Sequence, residues 1–133
     1  MDEPSEDLRV EVGEMIGGIR GGSEELLEEL LDRIEREIAA AAESFTGGED
    51  PEELIATCHA WASLLSHAVG GFYGPASPWP RKVAGWGKAA IQKLNSAVSH
   101  LHPPLTAAQQ KLGAKGFSIG VQFPWGIGIS FDW

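Results

Sequence analysis

The stretch Phe117-Ser-Ile-Gly-Val-Gln-Phe-Pro-Trp-Gly-Ile-Gly-Ile-Ser-Phe-Asp-Trp133 decides how the chain ends and what the rest of it must cover. Every odd position is apolar: Phe117, Ile119, Val121, Phe123, Trp125, Ile127, Ile129, Phe131 and Trp133. The even positions are Ser118, Gly120, Gln122, Pro124, Gly126, Gly128, Ser130 and Asp132. An unbroken period of two means extended chain with one apolar face. The turn falls at Pro124-Trp125-Gly126. A two-residue loop would pair odd positions with even ones and split the apolar groups between both faces. A three-residue loop keeps them together, pairing Phe123 with Ile127, Val121 with Ile129, Ile119 with Phe131 and Phe117 with Trp133. It also sets proline and glycine where a type I turn followed by a left-handed bulge residue favours them.

Two strands alone are marginal in water, so the aromatic face needs a cover, and the helices of the same chain are the expected one. The other face, of Gly, Ser and Gln, is flat and small. With its open edges it could take another strand or a second copy. Gly120, Gln122, Gly128, Trp125 and Trp133 are therefore candidate interaction residues.

Upstream, the pattern changes to helical. In residues 80–101, Val83, Trp86, Ala90, Ile91, Leu94, Ala97, Val98 and Leu101 form one stripe, flanked by Lys82, Gln92, Lys93, Asn95 and Ser96. His102-Pro103-Pro104 should stop this helix, with a short one following over 105–113. Gly70 to Pro80 holds three glycines, three prolines and three aromatics. It reads as an irregular loop that either clamps two helices or offers Phe72, Tyr73 and Trp79 to a ligand.

Asp50-Pro51-Glu52-Glu53 is a capping-box start for a helix running to about Val69, with Leu54, Cys58, Trp61, Leu65 and Val69 on its core face. A helix over 24–46 has Ser23 as its cap and Thr46-Gly47-Gly48 as its close. Its Leu27, Leu31, Ile34, Ile38, Ala41 and Phe45 make a two-in-seven seam, widened by Leu26 and Leu30. Such a seam fits one wall of an intramolecular bundle, and also a dimeric coiled coil. Residues 5–19 read as helix from Leu8, Val12, Met15 and Ile19, or as a short strand from the alternation at 8–12. The stripe extends past Val12, which favours helix.

The expected architecture is a mainly α helical bundle of three long helices plus shorter ones, with a C-terminal antiparallel β-hairpin. Residues 1–22 form an acidic N-terminal segment, free to move, and 23–133 a single domain, since 133 residues suit one core.

Charge is polarised. Residues 1–53 carry 18 of the 19 acidic groups and four basic ones, a net of −14; residues 54–133 carry six basic groups against Asp132, a net of +5. The two halves can fold onto each other, stack between copies or engage different partners. The acidic half argues against nucleic acid. One cysteine, Cys58, allows no intrachain disulfide and fits a reducing compartment, with the cytoplasm as default. The acidic start matches no secretory or transit signal.

Chemistry is sparsely provided. His59 and His67 share a helix face and His100 and His102 straddle a helix end, but the spacings match no metal pattern. Cys58 and His59 are neighbours on a helix and point apart, so they are not a nucleophile–base pair. The carboxylates crowd onto helix surfaces, and no phosphate-binding, dinucleotide or hydrolase motif occurs. The expectation is a non-enzymatic module without cofactor or metal, binding a protein partner or itself. The alternative is a membrane-active protein, whose basic Trp-bearing helix and aromatic hairpin are masked by the acidic half.

Overall fold

The computed structural model describes residues 1–18, 24–73, 84–122 and 126–133, with side chains at 1–14, 27–69, 92–120 and 127–133. Among the described residues five helices precede a hairpin: α1 Glu6–Gly18, α2 Glu24–Glu43, α3 Pro51–Tyr73, α4 Ala84–Ser99, α5 His102–Leu112, then β1 Gly116–Gln122 and β2 Gly126–Asp132. The mainly helical fold with a C-terminal hairpin is the one the sequence implies, and α1 settles residues 6–18 as helix rather than strand.

Helix α3 is the hub. From Leu54 to Tyr73 it contains no Asp, Glu, Lys or Arg, and Leu54, Thr57, Cys58, Trp61, Ala62, Leu64, Leu65, Ala68 and Val69 are all buried. A stripe that wide cannot be covered by one neighbour. α3 accordingly touches all four other helices and β2. The seam of α2 faces inward, with Leu27, Leu30, Leu31, Ile34, Ile38 and Ala41 buried in the same cluster as Leu8 and Val12 of α1 and Leu94, Ala97, Val98 and Leu101 at the end of α4. The two-in-seven pattern therefore serves the intramolecular bundle. The Trp61 indole N–H donates to the Asp2 carbonyl at 2.9 Å, which ties the start of the chain onto α3.

Helix α2 ends at Glu43 rather than 46, and two further boundaries differ from the sequence reading. α3 continues through Gly70 and Gly71 to Tyr73, so Phe72 and Tyr73 end a helix instead of opening a loop. Two mid-helix glycines cost roughly 2 kcal/mol, and packing of the preceding apolar turn outweighs that. Residues 74–83, with Trp79, lie outside the described part, as does the start expected at 80 for α4. His102-Pro103-Pro104 does end α4, yet it also forms the first turn of α5, where a missing proline N–H costs no helical bond. The close of α5 is sharper. Gly113 sits at φ 75, and the next N–H, of Ala114, reaches back to the Gln109 carbonyl at 3.1 Å.

The hairpin keeps its parity but not its expected register. Phe117 faces Phe131, Ser118 faces Ser130, Ile119 faces Ile129, Gly120 faces Gly128, Val121 faces Ile127, and Gln122 closes on Gly126. The three intervening residues are thus 123–125 rather than 124–126, and each partner is two residues from the expected one. Sliding by two leaves every odd side chain on the same face, so burial of that face does not separate the two registers. The even face does. The expected pairing sets Ser118 against Asp132 and Gly120 against Ser130. In the observed pairing the Ser118 and Ser130 hydroxyls lie 2.7 Å apart, and the Lys115 N–H reaches the Asp132 carbonyl at 2.7 Å.

The odd face lies on the helices, as expected: Phe117, Ile119, Ile127, Ile129 and Phe131 pack against the main cluster. β2 runs along α3, and β1 touches α4 and α5. Ile34→Ala should lower unfolding free energy by about 2–5 kcal/mol, because Ile34 is fully buried in the main apolar cluster. Val10→Ala, at a half-exposed site, should change it by less than about 0.5 kcal/mol. Urea titrations of both variants make the comparison.

Candidate functional site

The outward face of the hairpin is built from Gly116, Ser118, Gly120, Gly128, Ser130 and Asp132, of which Ser118, Ser130 and Asp132 are exposed. Glycine opposite glycine and serine opposite serine leave a surface with almost no relief. A Cβ added at Gly120 would meet nothing within 4 Å. A shallow depression runs over Gly116, Phe117, Ser118, Ser130, Phe131 and Asp132 at the open end of the hairpin.

That open end also carries a row of rings. His102 lies 5.5 Å from Phe117, Phe117 lies 6.2 Å from Phe131, and Phe131 lies 6.2 Å from Trp133, centroid to centroid. The observed register explains the last of these. Trp133 loses the rung opposite Phe117, projects beyond β2 and stays 66% exposed.

Of the candidate residues, Gly120 and Gly128 face each other within the ladder, Gln122 closes it, and Trp133 extends from its end. Trp125 lies outside the described residues. Phe72 and Tyr73 are placed by α3, a different element. Ser66 was not legible as a site residue. Its hydroxyl donates to the Ala62 carbonyl at 2.8 Å and accepts the Ile127 N–H at 2.9 Å, pinning the start of β2 to α3. The sequence signal is faint, since a serine within an apolar helix is commonly satisfied by the carbonyl four residues back.

The opposed charges meet partly within the chain. Lys93 of α4 bonds Asp32 of α2 at 2.6 Å. Ser96 donates to Glu35 at 2.6 Å, and His100 lies 3.3 Å from the same carboxylate oxygen. Lys111 of α5 donates to the Glu49 carbonyl at 2.7 Å. Arg33 pairs with Glu11, joining α2 to α1. The Asp32 hydrogen bond raises the Lys93 ammonium above its ordinary value, and the charges of Asp32, Glu28 and Glu35 add to this. Thr46 donates its backbone N–H and hydroxyl to Glu49 at 2.9 and 2.8 Å, which lowers that carboxyl below its usual range.

His59 and His67 are exposed on α3, and among the described residues no three His, Cys, Asp or Glu side chains gather as a metal site. Cys58 is fully buried, and desolvation pushes its thiol up to about 12. Among the described residues no helix is long and apolar enough to cross a membrane.

Two outcomes follow for these groups. Cys58 should resist iodoacetamide at pH 8 in the folded protein and label fully in urea, read by intact mass, because only the thiolate reacts. A lysine held above its unfolded value stabilises the fold below that unfolded value, near 10.4, and the benefit is lost as pH rises through the folded one. Asp32→Asn should therefore cost less than about 1 kcal/mol at pH 8, and urea melts near pH 11 should show a smaller difference from the parent.

Compared with known proteins, the chain matches no family model, no curated protein and no solved structure.

Proposed function

We propose that this protein is a non-enzymatic interaction module that associates with itself, and that the hairpin is the surface it uses. The observation that carries the reading is the outward face of β1 and β2, where glycine faces glycine and serine faces serine on a two-stranded sheet. Neither sheet edge is covered by a third strand among the described residues. Flat sheets of small residues let another backbone approach closely, and open edges offer unpaired backbone groups to it.

Of the other features that could favour assembly, the seam is engaged within the chain and the opposed charges partly so. The α2 seam is buried in the bundle, and Asp32, Glu35 and Glu49 already contact Lys93, Ser96, His100 and Lys111. Assembly by the hairpin would thus be apolar and backbone-driven, with little dependence on salt.

Molar mass by light scattering after size exclusion, over a range of concentrations at low and high salt, tests this. The expected result is a defined oligomer that survives high salt. A monomer at every concentration overturns self-association, and an oligomer that dissolves in salt overturns the hairpin as its basis.

A further inference from the structure

The two edges of the hairpin are not equivalent. In an antiparallel pair, rungs that exchange ladder hydrogen bonds alternate with rungs whose N–H and C=O point sideways. The Ile127 N–H donates to Ser66 outside the ladder, which assigns the odd-numbered residues to the sideways set. Phe117, Ile119 and Val121 therefore direct their backbone groups along the outer edge of β1. The β2 edge is engaged by α3 at Ile127. Among the described residues no hydrogen bond from outside the hairpin reaches the β1 edge at these three positions.

Native edge strands are commonly guarded by a charge, a proline or a bulge. Residues 116–122 contain no charged residue and no proline. We infer that β1 pairs edge to edge with β1 of a second copy, antiparallel about a two-fold axis at Ile119. The product is a four-stranded sheet in the order β2, β1, second β1, second β2. This rests on the self-association proposed above and names its surface.

A second copy is the occupant because the order of apolar and small residues in 117–121 reads the same in both directions about Ile119. Phe117 meets the second copy's Val121, Ser118 meets the second copy's Gly120, and Ile119 meets itself. That repeats, rung by rung, the matching of apolar with apolar and small with small that β1 and β2 already use. No charge faces its own copy, so the like-charge repulsion that opposes symmetric strand pairing is missing. Ser66 on the β2 edge ends the sheet at four strands, and a two-fold contact closes on itself as a dimer.

Cysteine cross-linking in the full chain reads the register directly. Ser118 is exposed, and a side chain at Gly120 meets no atom within 4 Å, so Ser118→Cys and Gly120→Cys should both fold. The two positions are directly opposed across the proposed axis, whereas like positions are diagonal and about 7–8 Å apart, too far for ready disulfide formation. An oxidised mixture of the two variants should yield linked dimers several-fold faster than either variant alone. A Ser118→Lys, Gly120→Lys double variant sets lysine against lysine twice and should weaken dimerisation about tenfold, with far-UV circular dichroism unchanged. If the wild type associates but neither effect appears, edge pairing is wrong while self-association stands. If the wild type is monomeric throughout, both are wrong.

Discussion

Everything in this fold answers to one constraint: the twenty residues of α3 from Leu54 to Tyr73 carry no Asp, Glu, Lys or Arg. A helix this apolar must be enclosed, and each buried leucine or valine on it contributes about 1.5–3 kcal/mol only if something covers it. α1, α2, α4, α5 and β2 each take a sector. The dependence is mutual. An isolated hairpin is marginal in water, and here its apolar rungs gain a floor while α3 gains a lid. The Ser66 hydroxyl marks where the two meet, serving helix and strand at once.

Polar contacts then arrange what burial leaves free. The acidic surface of α2 lies beside α4, where Asp32 and Glu35 meet Lys93, Ser96 and His100 along adjacent turns. Surface pairs of this kind add little stability each. Their effect is orientation: they select which neighbour the charged side of α2 rests on, after the seam has decided that it must pack. Among the described residues, Asp2, Glu3, Glu6, Asp7, Glu14, Glu29 and Glu43 of the first half stay exposed, while Glu11 and Glu37 flank Arg33.

Much of this was legible because periodicity reports burial. The 3.6-residue stripes of α2 and α3 and the two-residue alternation of 117–133 each name the buried face without reference to any partner. What was not legible falls where two arrangements bury the same atoms. A two-residue slide of the hairpin leaves Phe117, Ile119, Ile129 and Phe131 inward in either case, so the choice passes to Ser118, Ser130 and the Lys115–Asp132 contact, which alternation does not encode. Gly70 and Gly71 read as a break because local propensity does not contain the packing that carries α3 through them. Within the candidate site, Gly120 and Gly128 stand out by position in a strand, whereas Ser66 acquires its role only from a strand residue 61 positions later.

The rung matching has a consequence for how the C-terminal stretch can change over time. Since 117 faces 131, 118 faces 130, 119 faces 129, 120 faces 128 and 121 faces 127 with near-identical side chains, the two strands form a mirrored text. A polar replacement for Phe117 is met by Phe131, 6.2 Å away ring to ring, so on the inward face the tolerance of one position is written into its opposite number. Change on that face would therefore be expected to come in coupled pairs, so that the inward rungs count as a few doublets rather than as independent sites.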